Sequence, residues 1–129
     1  MTSKELNENL LLNFPELKEK FEDETSWQEG FDTGSFVVFE DVFMPFVKDS
    51  KKNNKDIINR IFDYIEKLSL NNDEYAQNVL YVAILENIAS FEDEQKYTKY
   101  FKNNTLKIFN ENYKDKKRVF WYHYFKIQW

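Results

Sequence analysis

Asn54-Lys55-Asp56-Ile57-Ile58-Asn59-Arg60-Ile61-Phe62-Asp63-Tyr64-Ile65-Glu66-Lys67-Leu68 is the stretch whose reading decides the fold. Ile57, Ile61, Ile65 and Leu68 recur at helical spacing with Ile58 and Phe62 beside them, so one face is apolar and the other polar. Asn54 stands where a side-chain oxygen can cap the first turn. This is the clearest helix of the chain.

Downstream, Asn71 with Glu74 suits a second N-terminus, after which Tyr75, Val79, Val82, Ile84, Leu85 and Ile88 surround much of a helix. Such a helix belongs at the centre, and Ile61, Leu80 and Ile84 are expected core residues. Ser90 is placed to cap a further segment carrying Tyr97, Tyr100 and Phe101, which Asn103 and Asn104 interrupt before a short helix over Thr105–Tyr113. Upstream, past the charged connector Lys51–Asn54, Phe36, Phe39, Phe43 and Phe46 form one helical stripe that Val42 and Val47 widen. Pro45 lies inside it and predicts a kink near Asp41–Met44. A short strand over Phe36–Phe39 competes, because Val and Phe favour strands. Gly30 and Gly34 sit among polar residues and mark the main loop. Before it, Pro15 opens a helix with Leu17 and Phe21 one turn apart, and Thr2 with Glu5 has the form of a capping box for a first helix bearing Leu6, Leu10 and Phe14.

The last stretch, 119–129, reads both ways. Alternation places Val119, Trp121, His123, Phe125, Ile127 and Trp129 on one side of a strand, and Trp121, Phe125 and Trp129 are in register at i,i+4 on a helix, so periodicity does not choose between the two. So many rings are expected either to pack on the domain or to meet a partner.

With 129 residues, 42% hydrophobic and 19% aromatic, the chain has material for one core. Only 2 glycines and 2 prolines starve it of hairpin turns and disfavour an all-β fold. The expectation is an all-α or mostly α single domain over 1–129, with about five to seven helices packed as αα-hairpins, by analogy with solenoid stacking. The aromatic tail 119–129 is expected to pack on it. The absence of cysteine fits a reducing compartment. Polar residues Thr2, Ser3, Lys4 and Glu5 occupy the place of a signal peptide's apolar region, and the Val79–Leu85 run is too short to span a bilayer. A cytoplasmic location with no membrane association is the expectation.

The chemistry that remains is sparse. His123 is the only histidine and is flanked by Tyr122 and Tyr124, which suits packing better than catalysis. Glu22–Glu24 and Glu92–Glu94 lack the alternating ligands and central glycine of a calcium loop. Neither GxxxxGK nor GxGxxG can be written around Gly30 and Gly34. No enzyme activity, metal or cofactor is therefore expected. Lys116, Lys117 and Arg118 ahead of stacked rings raise a nucleic-acid hypothesis, but a formal net charge of -5 opposes it.

Charge is instead segregated. From Glu16 to Asp41 nine acidic residues face only Lys18 and Lys20, a local net of -7, and from Lys96 to Lys126 the net is +7. Solvated helix faces explain part of this. The functional reading is an acidic docking surface for a basic protein, made of Glu22, Asp23, Glu24, Glu29, Asp32, Glu40 and Asp41, with Trp27 and Phe31 as aromatic anchors.

Phe14-Pro15-Glu16-Leu17, Phe43-Met44-Pro45-Phe46, Ile61-Phe62-Asp63-Tyr64-Ile65-Glu66 and Asn78-Val79-Leu80 with Leu85-Glu86 together resemble a family of small, uncharacterised, all-helical bacterial domains. That family is similar to the immunity proteins of polymorphic toxin systems. The resemblance spans roughly Phe14 to Thr105 and implies a non-enzymatic protein that binds and neutralises a cognate toxin domain, often a basic one. A helical scaffold or adaptor is the alternative. The oligomeric state is not legible.

Overall fold

A computed structural model describes residues 1–50 and 54–113. The expectations for 119–129, for His123, for Lys116–Arg118 and for the connector 51–53 lie outside the described residues. Within them the chain forms seven helices and no strand. These are α1 (Ser3–Asn13), α2 (Lys18–Thr25), α3 (residues 35–49), α4 (Lys55–Ser69), α5 (residues 74–89), α6 (Gln95–Thr98) and α7 (Asn103–Tyr113).

The local signals act as their chemistry dictates. Thr2 Oγ1 accepts from the Glu5 N–H at 3.1 Å while Glu5 Oε1 accepts from the Thr2 N–H at 3.0 Å, which completes the capping box of α1. Asn54 Oδ1 accepts from the Ile57 N–H at 3.1 Å and starts α4. Pro15 opens a short 3-10 turn, Pro15–Leu17, that leads into α2. For α5 the cap lies two residues beyond the expected Asn71: Asp73 Oδ2 accepts from the Ala76 N–H at 2.9 Å, and Asn71 Oδ1 accepts from the Asp73 N–H. Ser90 ends α5 instead of starting the next helix, since its N–H donates back to the Glu86 carbonyl.

Two helices carry π turns, Phe39–Phe43 in α3 and Leu80–Leu85 in α5. In α3 the Met44 N–H reaches the Phe39 carbonyl, so the turn is widened just before Pro45. A regular helix would there set the proline ring against the Asp41 carbonyl. The expected kink thus takes the form of an inserted residue in a continuous rod. That residue rotates the stripe: Val38, Phe39, Val42, Phe43, Met44 and Val47 are buried, and Phe36 and Phe46 fall on the half-buried shoulders. The strand alternative for Phe36–Phe39 is not realised. In α5 the same rotation buries Leu80, Ala83, Ile84, Leu85 and Ile88 completely and leaves Val82 46% exposed, against its expected place in the core.

One apolar cluster joins all seven helices, the short α6 through Tyr97 alone. α1 packs on α3, α2 on the π turn of α3, the two π turns on each other, and α4 on both α5 and α7. Phe14 fills the centre with its ring 5.7 Å from Phe43, 5.7 Å from Phe46 and 5.3 Å from Tyr64. Burying each such large side chain stabilises the fold by about 1.5–3 kcal/mol. Ser3 on α1 bonds Tyr75 on α5 across 72 positions, so the helices close around α5 and do not simply stack on their sequence neighbours.

Candidate functional site

Glu22, Asp23 and Glu24 lie on α2, a short helix held at its base by buried Phe21 and Thr25. Both lysines of the acidic stretch are engaged on this helix, Lys18 with Glu22 at 4.0 Å and Lys20 with Glu24 at 3.0 Å. Asp23 and the carboxylates of the following connector have no lysine of the stretch left to balance them. The connector begins with a tight turn in which the Gln28 N–H donates to the Thr25 carbonyl and Ser26 Oγ donates to the Asp23 carbonyl. Trp27 sits on that turn and is 93% exposed. It does not pack beneath the loop. Glu29, Phe31 and Asp32 follow on a 3-10 turn, Gly30–Asp32, whose Gly30 has φ 57°, a left-handed conformation that other residues adopt only with strain.

This turn is held by a side chain that sequence reasoning missed. Asn7 on α1 is fully buried, and its Nδ2 donates to the Phe31 carbonyl at 3.0 Å and to the Thr33 carbonyl at 2.7 Å. Its Oδ1 accepts from Ser35 Oγ at 2.8 Å. The Ser35 N–H donates to the Tyr75 hydroxyl at 3.1 Å, which also meets Ser3 Oγ at 2.7 Å. Burial pushes the Tyr75 hydroxyl up, and its hydrogen bonds with Ser3 and Ser35 more than offset this and hold it below the usual tyrosine range. The network ties the connector to α1 and to the start of α5. A buried amide without these bonds would cost several kcal/mol, so the pattern specifies one loop position.

Phe31, 40% exposed, stacks at 4.9 Å on Phe21 and closes one end of a groove between α1 and α2. The groove, of about 340 Å³, has Leu11, Leu12, Pro15, Phe21 and Phe31 as apolar walls and Glu8, Lys18 and Glu22 on its rim. The structure therefore brings Glu22 and Phe31 to one site. Glu40 and Asp41 are exposed on the π turn of α3, where Glu40 lines a different cleft with Met44, Pro45, Lys48, Asn87 and Phe91. Leu12, 82% exposed, was also missed. Its signal was the run Leu10-Leu11-Leu12, of which the helical stripe requires only Leu10.

Among the described residues no group of three or more histidine, aspartate or glutamate side chains is arranged to hold a metal, and no helix is long and apolar enough to cross a membrane. What the arrangement offers is surface: exposed rings on two adjoining turns, an apolar groove and exposed carboxylates.

Fold and surface together define a small all-helical domain with an acidic face and an apolar groove. The chain belongs to the family described as Domain of unknown function (DUF7674), whose model matches residues 7–117, from within α1 through the whole of α7, and so includes every residue lining the groove. No curated protein and no solved structure matches it.

Proposed function

We propose that this chain is a non-enzymatic protein-binding domain, an immunity-type inhibitor that docks a basic bacterial toxin domain on the face formed by α2 and the connector that follows it. The observation that carries the reading is Trp27, 93% exposed on a turn that the Gln28 N–H closes onto the Thr25 carbonyl, with Asp23, Glu29 and Asp32 within five positions of it in the sequence. An exposed tryptophan on a rigid support offers a large contact area at little entropic cost. Tryptophan is also the residue type most enriched among binding anchors. The surrounding carboxylates would steer a basic partner, raising its association rate more than its final affinity.

The test is to identify the partner by co-purification from the source organism and then follow association against salt. Surface attraction is screened over a Debye length of about 8 Å at physiological ionic strength, so association should slow as salt rises while dissociation changes less. Changing Glu22, Asp23, Glu24 and Asp32 to Lys should lower the association rate and flatten its salt slope. An unchanged rate and slope would remove this face from the interface. A partner whose activity is unaffected by binding would point to the scaffold role instead.

A further inference from the structure

We propose that the groove between α1 and α2 receives a large apolar side chain from a basic amphipathic helix of the partner, an inference that rests on the docking face proposed above. The groove lies beside that face and shares Glu22 and Phe31 with it, but its floor is built from residues the acidic surface does not use: Leu11, Leu12, Pro15 and Phe21.

Size selects the kind of occupant. A volume of about 340 Å³ stands at the low end for small-molecule clefts, roughly 300–1,000 Å³, and suits an inserted side chain better than an enclosed cofactor. The walls are already in place. Phe31 is fixed by its carbonyl's bond from Asn7 and by its ring against Phe21, so insertion requires no loop ordering. Leu12 projects with 82% of its surface exposed and would be covered by the incoming helix.

Charge and backbone select the chemistry of the partner. Glu8 and Glu22 line the rim beside a single lysine, Lys18, and residues 18–32, on α2 and the connector, carry six carboxylates against two lysines, so flanking Lys or Arg is favoured over Asp or Glu. The walls are helices with their own backbone bonds, and no strand among the described residues offers an edge for an extended peptide to join. Helix-in-groove docking, with an apolar anchor seated between two helices, is the mode this geometry favours over strand addition.

The probe is a synthetic amphipathic helical peptide of Leu and Lys with one Trp at the centre of its apolar face. A second peptide replaces every Lys by Glu, and an apolar dye serves as a third ligand. Binding of the Leu and Lys peptide should shift the methyl resonances of Leu11 and Leu12 and the ring resonances of Phe21 and Phe31. The Glu version should bind at least about tenfold more weakly. Leu12→Asp and Phe31→Ala should each weaken the Lys peptide about tenfold, as the loss of one buried side-chain contact implies. Glu40→Lys, in the other cleft, should leave it unchanged. Full affinity in Leu12→Asp, equal binding of the two peptides, or dye binding without peptide binding would overturn the proposal. If the fourfold Lys replacement on α2 and the connector slows peptide association while Leu12→Asp has no effect, the docking face stands and the groove falls. If neither change matters, both fall.

Discussion

Two clefts of this protein invite comparison. The one between α3 and the end of α5 is larger, about 580 Å³, and is lined by Lys48, Asp49, Asn87, Ser90, Phe91, Glu92, Asp93 and Tyr97. The one between α1 and α2 is smaller and almost wholly apolar. In the larger cleft the chemistry is consumed internally: Lys48 Nζ lies 4.7 Å over the Phe91 ring, Asn87 Nδ2 donates to the Ala83 carbonyl at 2.7 Å, and Asp49, Asp93 and Tyr97 are engaged in further interactions. In the smaller one Leu12 and Phe31 are exposed and Leu11 is half-buried, above a buried Phe21. What marks a docking surface is apolar area left uncovered on a rigid support.

The strongest way to break that comparison is to remove the support under both clefts. Ile61→Ala, Leu80→Ala and Ile84→Ala each empty a completely buried site and should cost about 2–5 kcal/mol, read as a lowered urea midpoint. Unchanged midpoints in all three would mean that the two clefts do not share one core.

An asparagine beneath the Phe31 turn and another lining the larger cleft provide a sharper contrast. Asn7→Ala strands the Phe31 and Thr33 carbonyls and leaves the Ser35 hydroxyl with its 3.3 Å bond to the Ser3 carbonyl, and should cost about 1–3 kcal/mol with faster amide exchange across residues 30–35. Asn87→Ala removes one half-buried bond within its own helix and should cost about 0.5–1.5 kcal/mol. Equal losses would show that the connector is not held from beneath.

Acid sensitivity should trace to a third contact, where α7 docks on α4. Burial pushes the Glu66 carboxyl up, but the Thr105 N–H and hydroxyl, the Asn104 N–H and Ser69 together hold it below the usual carboxylate range. A carboxyl with a depressed folded pKa contributes stability above its unfolded value, and that contribution is lost as pH falls through the folded value. Thermal unfolding followed from pH 7 to pH 3 should therefore show a fall in stability that Glu66→Gln reduces, with no such change between pH 7 and pH 6. Lys102 and Asp63 pair on the same interface and should hold part of it together in the variant.

The smallest effects on stability belong to the docking side itself. Leu12→Asp, on an exposed position, should stay within about 0.5 kcal/mol of the parent while weakening peptide binding. Thr33→Val should be neutral or slightly stabilising, because the buried Thr33 hydroxyl has no hydrogen-bond partner. A marked loss in Thr33→Val would reveal a bond to a bound water at the base of the turn.

The helices were legible in the sequence because helix formation depends on neighbours one turn away. Thr2 with Glu5, Asn54 ahead of Ile57 and the row Ile61, Ile65 and Leu68 are signals spaced three or four residues apart, and each acts in place. The acidic stretch was equally local, whereas the exposure of Trp27 on it was decided by the fold. The π turns were not: nothing near Val82 announces an inserted residue, and only packing of Leu80–Leu85 against Phe39–Phe43 decides which side of α5 turns outward. Asn7 was invisible for the same reason. On α1 it reads as one more polar residue, and it becomes the anchor of the connector only when Phe31 and Thr33, 24 and 26 positions away, are brought to it. The groove follows from that meeting. Its Leu11 and Leu12 come from one helix, Phe21 from the next and Phe31 from the turn between α2 and α3, so residue spacing determined the walls separately and tertiary packing alone set them facing one another.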